Sequence, residues 1–170
     1  PVSSDAYLDS IKTEIIFAVQ NGHKKLYLTL GSSAFEMAKK YSTQEAIIEI
    51  GNFVYDSIKI AIEQQAEEIT FLCGIGKMTK LSQGFKNTHN RFGEIDFEKL
   101  KCDIANKLGF EVDIQSTSTI KGISEELEKY GLLEEFYEMI TKKSNEQIKL
   151  WYKDSNIKAV ALEQKGVLGW

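Results

Sequence analysis

The side chains best placed to do chemistry lie in a basic stretch that contains no acidic residue. Residues 74–93 hold no Asp or Glu, although the chain has 25 in all. The charged and titratable side chains of this stretch are Lys77, Lys80, Lys86, His89 and Arg91. Lysine and arginine bind carboxylates and phosphates. The stretch therefore predicts a site for an anionic small molecule, with a solvated basic patch as the alternative.

His89 stands in a polar segment between Thr88 and Asn90. An imidazole in such a segment can transfer a proton near neutral pH, or donate a hydrogen bond to a carboxylate of a substrate. A structural loop histidine is the alternative interpretation. We expect His89 to be the catalytic residue if the chain is an enzyme.

The glycines of this stretch do not complete either of two common nucleotide motifs. A P-loop needs a glycine where Phe71 stands and a hydroxyl residue where Met78 stands. The dinucleotide-binding motif needs its third glycine where Thr79 stands. We therefore exclude nucleotide hydrolysis.

Cysteine usage predicts no metal site. Cys73 and Cys102 form no Cys-x-x-Cys pair and have no cluster of His or Cys around them, whereas structural zinc needs about four such ligands. We interpret both as small buried thiols, and a nucleophilic Cys73 is the alternative.

The elements that would position the basic stretch follow from hydrophobic runs closed by glycine. Three such runs read LYLTLG (26–31), AIIEIG (46–51) and EITFLCG (68–74), and a fourth strand is predicted at 157–164. Continuous apolar runs are typical of strands that are buried on both faces of a parallel sheet. The predicted fold is a three-layer α/β domain, Rossmann-like or flavodoxin-like, with a mostly parallel sheet of four to five strands flanked by helices.

Periodicity and capping residues predict the helices between these strands. The predicted helical segments are 4–20, 32–41, a helix capped by Asn52, 77–83, 97–108 and 124–154 with an interruption at Gly131. Residues 110–118 are ambiguous between an edge strand and an irregular connection. Ligands of such sheets bind at the carboxyl ends of the strands. In this chain those ends are Gly31-Ser32-Ser33, Gly51-Asn52 and Gly74-Ile75-Gly76.

The whole chain has the composition of a globular protein. Its 170 residues are 42% hydrophobic and 27% charged, which suits one domain over 1–170. The net charge of −4 argues against a nucleic-acid partner, and no apolar run is long enough to span a membrane. Without a leader sequence we expect a cytoplasmic protein, and a homo-oligomer is possible. The chain begins at Pro1, which suggests a domain of a longer protein.

Four segments together resemble the CbiD family, the cobalt-precorrin-5B (C1)-methyltransferases of anaerobic cobalamin biosynthesis. They are LTLGSS, IEIGNFV, GIGKMTKLSQG followed by NTHNR, and ALEQKGVLG. The resemblance covers essentially the whole chain. It departs from the family at Gly74, where the family usually has a histidine, and after Arg91, where Gly93-Glu94-Ile95-Asp96 replaces Ala-Asp-Ala-Arg.

The resemblance implies transfer of a methyl group from S-adenosylmethionine to C1 of a cobalt-containing tetrapyrrole. This chain would be the C-terminal domain, with an N-terminal domain of the same protein as its partner. The implied substrate contacts are Lys77, Lys80, Asn87, Thr88 and Arg91. For the methyl donor, the position of the glycine turns at the strand ends makes the candidate contacts Gly31, Ser32, Gly51, Asn52, Gly74 and Gly76. Two alternatives stay open, namely a non-catalytic corrinoid-binding or interaction module and a flavodoxin-like domain that binds a phosphorylated ligand.

Overall fold

Parallel strands form a sheet at the centre of the molecule. The computed structural model describes residues 3–113 and 118–164. Its strands are β1 (Lys25–Thr29), β2 (Ile47–Glu49), β3 (Glu68–Cys73) and β4 (Ile157–Ala161). They pair in the order β2-β1-β3-β4, and each neighbouring pair is parallel. The predicted α/β fold with a parallel sheet is confirmed.

Helices connect the strands and cover both faces of the sheet. Their bounds are α1 Ser4–Gln20, α2 Ser32–Lys39, α3 Val54–Glu63, α4 Ile75–Ser82, α5 Phe97–Leu108, α6 Ile120–Lys129 and α7 Leu133–Trp151. Short 3-10 turns lie at Gln44–Ala46 and Asn90–Phe92.

The two faces of the sheet carry separate hydrophobic clusters. Alternate residues of β3 show the division, since Phe71 belongs to the larger cluster and Leu72 to the smaller one. Helix α2 packs on the smaller cluster through Ala34 and Ala38, whereas the other helices contribute to the larger one. The chain runs from β1 to β2 and then back past β1 to β3, so right-handed crossovers place α2 and α3 on opposite faces. This arrangement confirms the predicted three layers.

The strand order locates a switch point at the carboxyl ends of β1 and β3. These neighbouring strands continue in opposite directions across the sheet, one towards β2 and the other towards β4. The order is that of the first four strands of flavodoxin-like sheets, whose ligands bind at this point. The turns that begin at Gly31 and Gly74 lie there.

Two predicted helices differ from the structure in their bounds. Helix α4 begins at Ile75 and not at Lys77, because Gly74 is its extended N-cap and Ile75 is buried in the core. The predicted helix 124–154 is two helices, separated by a turn in which Gly131 has φ +70°. The first of them already begins at Ile120, where the Thr119 side chain accepts a hydrogen bond from Gly122 N at 3.0 Å.

Two local predictions were wrong, those for Asn52 and Cys102, and the ambiguous segment 110–118 is irregular where it is described. Asn52 does not cap α3, because the N-cap is Phe53 and the Asn52 side chain bonds elsewhere. Residues 110–113 form no strand, and 114–117 lie outside the described residues. Cys102 is exposed, unlike the buried Cys73, because it lies on the face of α5 opposite its buried residues. The predicted fourth strand 157–164 is shorter in the structure, because β4 ends at Ala161. Residues 165–170 lie outside the described residues.

None of the described helices is both long and apolar enough to cross a membrane.

Candidate functional site

The segment that follows α4 folds back and bonds to the residues that follow β2. Thr88 N donates to Asn52 O at 3.1 Å, and the Thr88 hydroxyl donates to Asn52 Oδ1 at 2.6 Å. Tyr55 N, in the first turn of α3, donates to Lys86 O at 3.0 Å. We call residues 85–93 the basic loop. These bonds hold it at the carboxyl edge of the sheet, and they explain why Asn52 is not free to cap α3.

Lys77 and Lys80 lie one turn apart on α4 and bond to the same carbonyl of the basic loop. Lys77 Nζ donates to Thr88 O at 3.0 Å and Lys80 Nζ donates to it at 3.1 Å. Lys80 Nζ also donates to Asn90 Oδ1 at 2.8 Å and to Gly93 O at 3.0 Å.

The two ammonium groups differ in what they have left to donate. An ammonium has three N–H donors. Those of Lys80 are all used within the loop, and its side chain is buried. Burial, and then the charge of Lys77, lower the pKa of Lys80 below its ordinary value, while Glu94 opposes this shift. Lys77 is half-buried and makes one hydrogen bond, so two of its N–H donors remain available.

His89 and Arg91 lie at the exposed outer end of the basic loop. His89 Nδ1 accepts a hydrogen bond from Arg91 N at 3.1 Å, so the neutral ring carries its proton on Nε2. Asn87 Oδ1 accepts from His89 N at 2.9 Å. The Arg91 guanidinium lies 4.8 Å from the centre of the Phe92 ring and forms no ion pair with a described residue.

The structure thus joins the predicted substrate contacts into one bonded unit. Thr88 links Lys77 and Lys80, and Asn87 and Arg91 lie within three residues of Thr88 along the loop. An open cavity of about 440 Å³ lies against the loop and is lined in part by Lys86, Asn87 and Phe92.

The glycine turns predicted to hold the methyl donor differ in the space around them. Gly31 has φ +95°, and a Cβ there would meet no atom within 4 Å. Gly76, in the first turn of α4, is equally open. Gly51 has φ +55° and is covered, since a Cβ there would lie 3.1 Å from the Tyr7 hydroxyl oxygen. Ser32 is exposed at the first position of α2.

An internal carboxylate occupies the start of α4. Ile75 N donates to Glu163 Oε2 at 3.0 Å, and a Cβ at Gly74 would lie 3.3 Å from Glu163 Oε1. A carboxylate is favoured at this position because helix N-termini carry unpaired N–H groups and a partial positive charge. Sequence reasoning missed Glu163. The available signal was the position of Glu163 just after β4, because β4 pairs with β3, the strand that ends at Gly74.

Cys73 has the character of a core thiol. Burial raises its pKa strongly, the nearby Glu163 raises it further, and Lys77 opposes them. The thiol therefore stays protonated near neutral pH, and a thiol is a weak nucleophile. Within the described residues no group of three or more His, Cys, Asp or Glu is placed to hold a metal ion.

Comparison with curated proteins finds relatives that share one name. A protein of Methanocaldococcus jannaschii named cobalt-precorrin-5B C(1)-methyltransferase is 29% identical over 176 residues, which cover 99% of this chain and 48% of that protein. One of Sulfurisphaera tokodaii with the same name is 41% identical over 100 residues, which cover 59% of this chain and 28% of that protein. The chain is a relative of the cobalt-precorrin-5B C(1)-methyltransferases.

The predicted resemblance is thereby confirmed. The match with the methanogen methyltransferases extends over almost all of this chain. The chain spans about half the length of these curated relatives. No family profile matches the chain, and no solved structure matches it.

Proposed function

We propose that this chain is part of a cobalt-precorrin-5B C(1)-methyltransferase and that it binds the tetrapyrrole substrate at the basic loop. The names of its relatives support the reaction. The observation that carries the binding role is the pair of available N–H donors on Lys77, at the carboxyl edge of the sheet. A precorrin bears acetate and propionate groups, which accept charge-assisted hydrogen bonds from such donors.

Arg91 supplies a second contact for a carboxylate. Its guanidinium is exposed and can bind a carboxylate with two parallel hydrogen bonds. Asn87 and Thr88 lie in the loop between Lys77 and Arg91, where Thr88 O accepts from Lys77 and Asn87 Oδ1 accepts from His89 N. We assign Lys80 to positioning, because its ammonium already donates three hydrogen bonds that fix the loop.

The proximity of Lys77 and Lys80 favours an anionic ligand. Two ammonium groups that share one carbonyl repel each other: burial is the main cause of the lowered pKa of Lys80, and the charge of Lys77 lowers it further. A carboxylate bound by Lys77 would offset this repulsion. The site therefore binds an anion more readily than a neutral molecule of the same shape.

S-adenosylmethionine, the proposed donor, would supply an electrophilic methyl group on a sulfonium. The residues of this chain fit such a ligand where the backbone is open, at Gly31, Ser32 and Gly76. Gly51, Asn52 and Gly74 already contact neighbouring side chains. We propose that these three support the turns and that the donor contacts are at the open positions.

His89 holds a proton at Nε2 and lies two residues from Arg91. We propose that it donates a hydrogen bond from Nε2 to a carboxylate of the substrate. Its exposure in the described structure leaves Nε2 accessible to a molecule bound at the loop.

A titration of the purified chain with two corrinoids tests the substrate proposal. Cobyrinic acid carries free carboxylates, whereas in cobinamide these groups are amides. We expect the chain to bind cobyrinic acid more tightly than cobinamide. The double variant Lys77→Ala/Arg91→Ala should lose roughly tenfold or more in affinity for cobyrinic acid. It should lose less for S-adenosylmethionine.

A second double variant, Lys59→Ala/Lys121→Ala, is the matched control. It removes the same charge at two exposed positions outside the loop. If both double variants weaken cobyrinic acid equally, the effect is one of net charge and the basic loop is not the substrate site. Equal losses of corrinoid and methyl donor in the first variant would also contradict the assignment.

A further inference from the structure

The open cavity against the basic loop combines two aromatic rings with a cation. Its volume is about 440 Å³. Neither Asp nor Glu is among the described residues that line it, which are Gln83, Gly84, Phe85, Lys86, Asn87 and Phe92. The two rings and Lys86 take no part in the carboxylate contacts proposed for Lys77 and Arg91.

Phe92 is an exposed aromatic ring in the basic loop. Its side chain is 54% exposed, and it belongs to neither hydrophobic cluster of the described structure. The Arg91 guanidinium lies over the ring, 4.8 Å from its centre. The ring also lines the cavity. A phenylalanine that does not stabilise the core is available to pack against an apolar surface of a ligand.

Phe85 forms a wall of the cavity that is already in place. Its half-buried ring packs against Gly93, where φ is +126° and a Cβ would lie 3.0 Å from the ring. Lys80 Nζ lies 5.6 Å from the centre of the same ring. The loop backbone and the buried lysine therefore hold this wall without a ligand.

Lys86 brings a positive charge to the cavity. Its backbone carbonyl accepts a hydrogen bond from Tyr55 N at 3.0 Å, which fixes the residue at the start of α3. Its exposed ammonium lies 4.4 Å from the centre of the Tyr55 ring and forms no ion pair with a described residue. An ammonium on an aromatic face keeps donors for a carboxylate.

Phe17 has a similar exposure but the opposite surroundings. Its side chain is 58% exposed and lines a cavity of about 410 Å³. Glu14 and Glu45 line that cavity, and Lys and Arg are absent from its described lining. A ligand that carries carboxylates would be repelled there. The cavity at Phe92 instead offers both properties that an anionic ring needs, an apolar surface and a cation.

We propose that Phe92 packs against the apolar rim of the macrocycle and that Lys86 binds one of its carboxylate arms. This inference rests on the proposed function and adds an apolar contact to a site that otherwise consists of polar and charged groups. Cavities of roughly 300–1,000 Å³ hold drug-sized molecules. A tetrapyrrole with its side arms is larger than these, so we assign one side of the ring to the cavity.

Calorimetric titration of the full chain with cobyrinic acid and cobinamide tests the inference. Both are used in the dicyano form, so that cobalt carries the same ligands. Phe92→Ala should weaken both corrinoids by a similar factor, roughly tenfold, because both have the same ring. Lys86→Gln should weaken cobyrinic acid roughly threefold to fivefold and leave cobinamide unchanged, because only the first has free carboxylates.

Three further variants keep the result interpretable. Phe17→Ala removes a ring of similar exposure, and Lys59→Gln removes an exposed charge on α3, both outside the cavity. Each should bind as the wild type does. Phe92→Trp keeps an aromatic surface and should bind cobyrinic acid at least as tightly as the wild type. Thermal melting of each variant identifies any loss that comes from unfolding.

Each outcome supports or overturns the inference. A loss in Phe92→Ala that is absent in Phe92→Trp, with a loss of cobyrinic acid alone in Lys86→Gln, supports it. Wild-type affinity for cobyrinic acid in folded Phe92→Ala overturns the ring contact, and wild-type affinity in Lys86→Gln overturns the carboxylate contact. If Lys77→Ala/Arg91→Ala still weakens cobyrinic acid, the proposed function survives that failure. A chain that binds neither corrinoid refutes the substrate proposal and this inference together.

Discussion

Replacing Lys80 with methionine should detach the basic loop from α4. Methionine keeps most of the length and apolar volume of the side chain but removes the ammonium. Asn90 Oδ1 and Gly93 O then lose their partner, while Thr88 O keeps its bond from Lys77. Hydrogen bonds to a charged group contribute about 1.5–3 kcal/mol each, and the ammonium regains hydration when the chain unfolds. We therefore expect a loss of about 2–4 kcal/mol in the free energy of unfolding.

Lys77→Met is the matched control for this change. It is the same substitution one turn earlier on the same helix, but Lys77 is half-buried and makes one hydrogen bond. We expect it to cost about 0.5–1.5 kcal/mol. In urea, where the slope is about 2 kcal/mol per molar, the midpoints of the two variants should differ by roughly 1 M.

Hydrogen exchange and pH add two independent readouts. Amides of the basic loop should exchange faster in Lys80→Met than in Lys77→Met. Because the pKa of Lys80 in the folded chain lies below its ordinary 10.5, the unfolded chain binds more protons in the window between the two values. The stability conferred by Lys80 therefore rises with pH through that window, and the gap between wild type and Lys80→Met should widen there. Equal destabilisation by the two substitutions, or a larger effect of Lys77→Met, would refute this reasoning.

Two simpler perturbations test the backbone and the thiols. Gly31→Ala should lower the free energy of unfolding by about 1–2 kcal/mol, because φ +95° strains a side chain even in open space. Gly76→Ala should raise the free energy of unfolding by about 0.5 kcal/mol, because a helical φ and open space accept a methyl group. Chemical denaturation measures the stability of both variants. A Gly31→Ala variant more stable than the wild type would contradict the turn geometry. In the native protein a thiol reagent should modify Cys102 and spare Cys73 until the chain unfolds. Rapid native modification of Cys73 would show that its strand is less securely buried than described.

The fold was predictable because the sequence signals its strands and turns strongly. Runs such as EITFLCG are largely apolar on both faces and end at glycines, which is typical of strands that helices cover on both faces of a parallel sheet. The bounds of α4 and the break at Gly131 were less predictable. The first depends on the burial of Ile75 and the second on the left-handed backbone of Gly131, and periodicity resolves neither to within two residues.

The sequence was enough to predict which residues form the candidate site, but not which hydrogen bonds join them. The absence of acids in 74–93 predicted that Lys77, Lys80 and Arg91 belong to one anion site, and the structure brings the two lysines onto the same carbonyl of the basic loop. Nothing in the sequence showed that Lys80 would be buried and bonded to three acceptors, because those bonds depend on how the loop returns to Asn52. Glu163 was missed for a similar reason, since its partner Ile75 is 88 residues away along the chain.

That long separation also bears on how the molecule is built as it is synthesised. Domains generally form as the ribosome extends them from the amino end. When α4 first emerges, the N–H of Ile75 has no carboxylate to meet, since the residue that supplies it is added only after α7 and β4. The start of α4 therefore reaches its finished state last, when the edge strand docks beside β3. A chain that ends before β4 would have the basic loop at the carboxyl edge of the sheet but would lack the carboxylate that caps α4.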